Sequence, residues 1–287
     1  LTVALLTGTA VVFFETAYQV YLPSLLSTDQ LAEGNAKLHG SEAAAQVAGP
    51  GAGGLIAQLF GAVFGLLADA ATFLVSTVCL LTMRHREPRR SAQTPHQPLL
   101  KEIIGGLRFL EHDPYLRTMA AFGAAANLAL IGYQSILIVF LVRENGIEPG
   151  TVGVIIAIMS CGGILGALVA TTVARRFGMA HGMLLCLLCA APFALLIPLA
   201  GPGPRLALVV LGGMAVGTGV VAANIIKDSF RQTYTPRHLL GRVITGMNLI
   251  NYGTMPLGAL LGGLLGTVLG LRPTMWIMTA ALVLSTG

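Results

Sequence analysis

The chain has 287 residues, of which 55% are hydrophobic and only 10% are charged, and its mean hydropathy is +0.79. A soluble domain carries about 25% charged residues, so this composition excludes a water-exposed globular domain and indicates a polytopic membrane protein. The net charge of +5 does not indicate nucleic-acid binding, because the basic residues fall in short loops between apolar runs.

Nine apolar runs are each long enough to cross a bilayer, whose hydrocarbon core requires about 20 residues of helix. The sequence therefore predicts an all-α fold, a polytopic transmembrane helical bundle. In chain order the runs are residues 1–22, 41–60, 62–83, 115–142, 152–174, 182–199, 206–226, 243–269 and 273–287.

Basic residues distinguish the two ends of these runs. The loops after the first, third, fifth and seventh runs, with the adjoining helix ends, hold 14 of the 17 Lys and Arg residues, and the other loops hold Arg143, Arg205 and Arg272. Cytoplasmic loops are enriched in Lys and Arg. We therefore expect a multi-pass protein of the cell (inner) membrane, with these basic loops and the C-terminus in the cytoplasm. Lys227 and Asp228, at the end of the seventh run, are interpreted as a solvated pair.

The longest polar segment, residues 84–98, is basic and contains proline. After it, apolar residues recur at helical spacing from Leu99 to Leu110, with charged residues between them. This pattern predicts a short amphipathic helix on the inner membrane face. An ordinary surface helix packed on the bundle fits the pattern equally well.

The sequence resembles itself at a shift of 209 residues, without gaps over about 50 residues. The shift pairs the first three runs with the last three and preserves their direction, which predicts two parallel halves related by an axis along the membrane normal. The middle three runs have no earlier counterpart. We therefore expect six plus six helices, with the first three absent from this chain; a genuine nine-helix protein is the alternative. Residues 1–83 would complete the N-terminal half, 84–114 form a cytoplasmic linker, and 115–287 form the C-terminal half.

Two parallel six-helix halves with a basic central loop resemble the major facilitator superfamily. The segment Gly49-Pro50-Gly51-Ala52-Gly53-Gly54 matches the core of the antiporter motif on the family's fifth helix. Residues 13–19 (FFETAYQ) and 239–243 (LLGRV) look like the branch that contains the bacterial enterobactin exporter and related efflux permeases. The resemblance covers the whole chain, whose nine apolar runs correspond to helices four to twelve of the family. It implies that the protein is an exporter.

Small residues at four-residue spacing predict places where helices pack closely, because residues four apart share a helix face and lack bulky side chains. We expect the second run to pack on the fifth across the two halves, and the eighth run to pack on an absent helix. These contacts, if they separate during alternating access, would form a gating motif; static packing is the alternative. The motif comprises Gly49, Pro50, Gly53, Gly54, Gly162, Gly166, Gly258 and Gly262.

Two acidic residues, Glu15 and Asp69, lie well inside apolar runs. A charged group at the centre of a membrane helix is costly and is retained mainly for function, so both are candidates for proton coupling. A structural hydrogen bond is the alternative for each.

Polar residues within the runs predict a substrate path, although such residues more often form interhelical hydrogen bonds. These substrate-path candidates are Asn127, Tyr133, Gln134, Asn224 and Asn251.

The function predicted from these features is secondary active transport, namely proton-coupled efflux of small amphipathic molecules of the drug or siderophore type. The expected partners are the lipid bilayer, the small-molecule substrate and protons. No enzyme is expected, because no HExxH or GxSxG pattern occurs and no His lies inside a run. The four Cys residues lie in apolar runs without metal-binding spacing, so neither metal nor cofactor is predicted. A truncated, non-transporting remnant and a permease subunit of another transport system remain as alternatives.

Overall fold

The structure is a computed structural model that describes residues 19, 21–60, 62–82 and 111–286; at 50–59, 62, 66, 69, 80, 149, 237 and 238 it describes the backbone alone. The predicted linker helix and nearly all of the first predicted helix lie outside the described residues. The described part contains helices and turns and no strand, which confirms the all-α prediction. Eight α-helices with described bounds follow one another within these residues: α1 (Leu31–Phe60), α2 (Ala62–Thr82), α3 (Pro114–Val139), α4 (Pro149–Phe177), α5 (Met179–Ala190), α6 (Leu206–Tyr234), α7 (Arg237–Val268) and α8 (Leu271–Ser285).

Five described helical segments are long and apolar enough to cross a membrane. Two of them change helix type near one end. Helix α3 continues as a π-helical turn, Phe140–Glu144, and α5 continues as a 3₁₀-helix, Ala191–Leu199. Pro192 lies just after the change in α5, and since proline has no N–H to donate to the carbonyl four residues back, one α-helical hydrogen bond is lost there.

Local sequence signals explain the start of α3. Asp113 is its N-cap, and its Oδ1 accepts hydrogen bonds of 3.0 Å from the backbone N–H groups of Tyr115 and Leu116. Pro114 follows at the first helical position, where a backbone N–H would have no acceptor within the helix, so proline's lack of an N–H costs no hydrogen bond. The other carboxylate oxygen of Asp113 accepts a hydrogen bond of 3.0 Å from the Tyr234 hydroxyl, so the cap also joins the start of α3 to the end of α6.

Helix α6 lies at the centre of the bundle. It packs on α4, on α5 with its 3₁₀ extension, and on α1, while α3 packs on α7 and α8. Glycines permit the closest of these approaches. A Cβ atom at Gly166 would lie 2.5 Å from the Thr218 carbonyl oxygen on α6, and one at Gly258 would lie 2.5 Å from the Leu128 carbonyl oxygen on α3.

The predicted contact between the second and fifth runs is present, since α1 packs on α4, but other residues form it. Gly162 and Gly166 face α6 and not α1. The contact with α1 instead brings Gly163 against Ala43 and Gly40 against Ala167, where added Cβ atoms would lie 3.0 and 3.2 Å from the facing Cβ atoms.

The glycines of the eighth run face a helix that is present in this chain. Gly258 and Gly262 lie against α3, at Leu128 and Gly132, and the predicted contact of this run with an absent helix stays a prediction. A Cβ atom added at Gly49 would meet no described atom within 4 Å. The side-chain surroundings of Pro50, Gly53 and Gly54 lie outside what the structure describes.

At the end of the bundle where α3 finishes and α8 begins, Arg272 joins three segments. Its guanidinium donates to the Glu144 carboxylate at 3.0 Å and to the carbonyls of Pro198 and Ala200 at 3.0 and 3.1 Å. It also lies 5.4 Å from the centroid of the Phe140 ring. These contacts fix the ends of α3, of the 3₁₀-helix and of α8 relative to one another.

Candidate transport site

A cavity of about 260 Å³ lies between α3, α5, α6 and α7. Most of its lining residues are apolar, and they include Phe122, Ala126, Leu130, Met183, Leu187, Val216, Val220, Met255 and Leu282. Its polar lining consists of Gln19, His39, Asn127, Asn224, Lys227, Asp228, Arg231, Asn248, Asn251, Tyr252 and Thr286. An apolar pocket with a few convergent polar groups is the usual form of a small-molecule site.

Three of the predicted substrate-path residues line this cavity. Asn127 on α3 donates through Nδ2 to the backbone carbonyl of Asn251 on α7 at 3.0 Å, so it both lines the cavity and joins the two helices. Asn224 lies on α6 and its Oδ1 accepts a hydrogen bond of 2.7 Å from Lys227 Nζ. Their role in binding a substrate stays a prediction.

The other two substrate-path candidates lie elsewhere. Tyr133 is only 2% exposed and belongs to the hydrophobic core beside Ile136 and Phe140. Gln134 is exposed and lies beyond Leu130, the last residue that α3 contributes to the cavity. Position within an apolar run does not distinguish a core residue from a cavity residue, and a role for Tyr133 and Gln134 in a substrate path stays a prediction.

Beside the cavity lies a group of polar side chains from α1 and α6, here called the α1–α6 cluster: Asn35, His39, Asp228, Ser229, Arg231 and Gln232. Three of them, His39, Asp228 and Arg231, belong to the cavity lining. Asn35 Nδ2 donates to Ser229 Oγ at 3.0 Å and to Gln232 Oε1 at 2.8 Å. All six residues except His39 are buried. The cluster therefore links α1 to α6.

The charged members of the cluster share one carboxylate. Asp228 accepts from Arg231 Nη2 at 2.9 Å through Oδ1, and its Oδ2 lies 3.1 Å from His39 Nε2. Arg231 also donates to Gln19 Oε1 at 3.0 Å. Asp228 is 6% exposed and Arg231 only 2%, so the interpretation of Lys227 and Asp228 as a solvated pair is wrong for Asp228.

His39 lies before the apolar run that begins at Ser41, and it faces two carboxylates. Its Nδ1 is 3.4 Å from Glu42 Oε2, in addition to the contact with Asp228. Burial by itself would lower the pKa of His39, but the hydrogen bonds to Asp228 and Glu42 outweigh burial and raise the pKa to about 9. His39 is therefore a cation at neutral pH.

Sequence reasoning missed this cluster. Its residues lie outside the apolar runs or at their ends, where polar side chains look solvated. The signal that could have found it is the four-residue spacing of Asn35 and His39, and of Asp228 and Gln232, which gives each helix one polar face.

The two proton-coupling candidates are not placed by the structure. Glu15 lies outside the described residues, and the side chain of Asp69 lies outside them as well. Among the described residues no group of three or more His, Cys, Asp or Glu could hold a metal ion.

Comparison with known proteins identifies the family. The model of the Major Facilitator Superfamily matches residues 1–252. The multidrug efflux pump Tap of Mycolicibacterium fortuitum is 30% identical over 242 residues, which cover 83% of this chain and 58% of that protein. The enterobactin exporter EntS of Escherichia coli O81 (strain ED1a) is 27% identical over 251 residues, which cover 87% of this chain and 58% of that protein.

Among solved structures, a bacterial homologue of the iron transporter ferroportin in an outward-facing state superposes with a TM-score of 0.66 at 18% identity. The alignment covers 92% of this chain and 64% of that one, and at this identity it shows the fold alone. This chain thus spans less than two thirds of each of these relatives. Since the family model matches most of its residues, the chain belongs to the Major Facilitator Superfamily.

Proposed function

We propose that this chain is part of a secondary active exporter that moves small amphipathic molecules, of the drug or siderophore type, across the cell membrane. The observation that carries the proposal is the cavity among α3, α5, α6 and α7, in which apolar side chains surround amide and charged groups. Such a lining suits molecules with an apolar body and polar substituents. The names of Tap and EntS, an efflux pump and an exporter, support the direction of transport.

The proposed mechanism is alternating access, driven by protons. Residues 115–287 would form one half, residues 1–83 would belong to the other, and residues 84–114 would connect them. The α1–α6 cluster and the contact of α1 with α4 join the two proposed halves and would have to separate when the cavity opens beside the cluster. Following the charge pattern of the loops, that side faces the cytoplasm. As a carrier, the protein has no enzyme activity in this proposal.

The test is dye efflux from an efflux-deficient bacterium. Cells that express the protein are loaded with an anionic dye, carboxyfluorescein, or a cationic dye, ethidium, and the loss of cell fluorescence is followed with and without a protonophore. We expect faster loss of at least one dye than in cells with empty vector, abolished by the protonophore. Equal loss from both kinds of cells, for both dyes, would identify a non-transporting remnant. Export that survives the protonophore would remove the proton from the mechanism.

A further inference from the structure

The charges that line the cavity do not balance. Four lining side chains can carry a charge near neutral pH: His39, Lys227, Asp228 and Arg231. The single carboxylate among them is already shared, since Asp228 contacts both Arg231 and His39. The two contacts use one oxygen each, so this carboxylate is committed to the α1–α6 cluster beside the cavity.

Lys227 is the cation that remains. Within the described part of the chain no carboxylate lies within 4.0 Å of its Nζ, which instead donates to the neutral amide oxygen of Asn224 at 2.7 Å. An amide accepts a hydrogen bond but does not neutralise a charge. Lys227 is half-buried, on a helix long and apolar enough to cross the membrane. A cation in that position favours the arrival of a negative charge.

Another residue of the cavity lining carries a donor without a partner. The Nδ2 group of Asn248 on α7 is buried and makes no hydrogen bond to any described residue. A buried donor without a partner is unfavourable, and a ligand that supplies an acceptor removes this cost. The charge of Lys227 and the donor of Asn248 are thus both suited to an acceptor with negative charge.

We propose that Lys227 determines the specificity of the cavity by binding an anionic oxygen group of the substrate, such as a carboxylate or a phenolate. This inference rests on the proposed function, which leaves the charge of the substrate open. The apolar side chains would hold the body of the molecule, and the amide of Asn248 would donate to an oxygen of the same group. A cationic molecule of the same shape meets Lys227 as a like charge and binds more weakly.

The test compares two xanthene dyes of similar shape and opposite charge, fluorescein and rhodamine 123, by fluorescence anisotropy with the purified full chain in lipid nanodiscs. A charge-assisted hydrogen bond contributes about 1.5–3 kcal/mol, so the wild type should bind fluorescein roughly tenfold or more tightly than rhodamine 123. Lys227→Gln should remove most of this preference, and Lys227→Arg should keep it. The matched control is Lys37→Gln, because Lys37 is exposed and paired with Glu33, and it should leave both affinities unchanged.

A second variant tests the same point with Lys227 in place. Asn224→Asp puts a carboxylate where Lys227 already donates, so it should neutralise the charge and also remove the preference for fluorescein. The proposal is overturned if the wild type binds both dyes equally or prefers rhodamine 123. It is equally overturned if both Lys227→Gln and Asn224→Asp keep the wild-type preference. Since binding is measured without transport, anion binding without efflux would contradict the proposed function alone, and efflux of ethidium without anion binding would contradict this inference alone.

Discussion

At the scale of single residues, the Asp228 carboxylate connects two helices that are almost 200 positions apart in the sequence. It accepts from Arg231 on its own helix and contacts His39 on α1, with partner distances of 2.9 and 3.1 Å. A buried charge is tolerated only while its partners are in place. Replacing Asp228 would therefore leave both Arg231 and His39 without their shared carboxylate.

Replacing Asp228 with Asn should destabilise the protein markedly. Arg231, only 2% exposed, would lose its carboxylate and remain a buried cation; breaking such a pair typically costs about 3–5 kcal/mol. The measurement is the thermal unfolding midpoint in detergent, followed by the fluorescence of Trp276, the only tryptophan. The control is Glu33→Gln, which breaks an exposed pair with Lys37 and should have little effect. An Asp228→Asn midpoint as high as the control's would contradict the structure of the cluster.

The charge on His39 gives this cluster a pH dependence. The pKa of His39 is raised from its ordinary value of 6.5 to about 9, so its stabilising effect is complete below pH 6.5 and is lost as the pH rises through 9. The charged groups around it are Asp228, Glu42, Lys227 and Arg231. The difference in thermal midpoint between the wild type and His39→Gln should therefore be largest at pH 6 and shrink towards pH 10. A difference that is constant across this range would show that His39 does not carry the charge.

At the scale of helices, the glycines of α4 and α7 that were predicted to form contacts across the two halves lie instead against α6 and α3. Gly166 lets α4 approach α6, and Gly258 lets α7 approach α3. The contact between α1 and α4 involves a different face of α4, which carries Gly163 and Ala167. Four-residue spacing thus predicted that these helices pack closely, but not which neighbour each glycine meets, because a small residue fits against any backbone.

A matched pair of glycine variants on α4 tests this assignment. Gly166→Ala places a methyl group 2.5 Å from the Thr218 carbonyl oxygen, whereas Gly153→Ala meets no described atom within 4 Å. Both variants gain the same helix propensity of alanine, so their difference isolates the close approach. We expect Gly166→Ala to be less stable than Gly153→Ala by about 1–3 kcal/mol, measured as the thermal midpoint in detergent. Equal midpoints would mean that α4 and α6 lie farther apart.

At the scale of the whole molecule, composition and apolar runs were sufficient to predict a helical membrane protein, and short motifs such as GPGAGG pointed to its family. They could not predict where helices begin and end. Helix α1 begins about ten residues before its apolar run, and α6 continues about eight residues beyond its run. Polar contacts between helices hold both extensions. Nor could they separate Asn127, which lines the cavity, from Tyr133, which is buried in the core. Both lie in one apolar run, and only the packing of α3 against its neighbours determines what each one faces.

Alternating access makes a prediction about the molecule as a whole, because α1 and α4 belong to different proposed halves and must separate if those halves rock. Gly40 and Ala167 lie where they meet, with the Cβ position of Gly40 at 3.2 Å from the Cβ of Ala167, close to the spacing that a disulfide requires. In a background with the native cysteines replaced by serine, Gly40→Cys with Ala167→Cys should cross-link on oxidation and stop dye efflux, and a reductant should restore it. Each single cysteine variant serves as the control and should export dye whether oxidised or reduced. Efflux by the cross-linked protein at the reduced rate would show that these helices stay together during transport, and the moving interface would then have to lie elsewhere in the bundle.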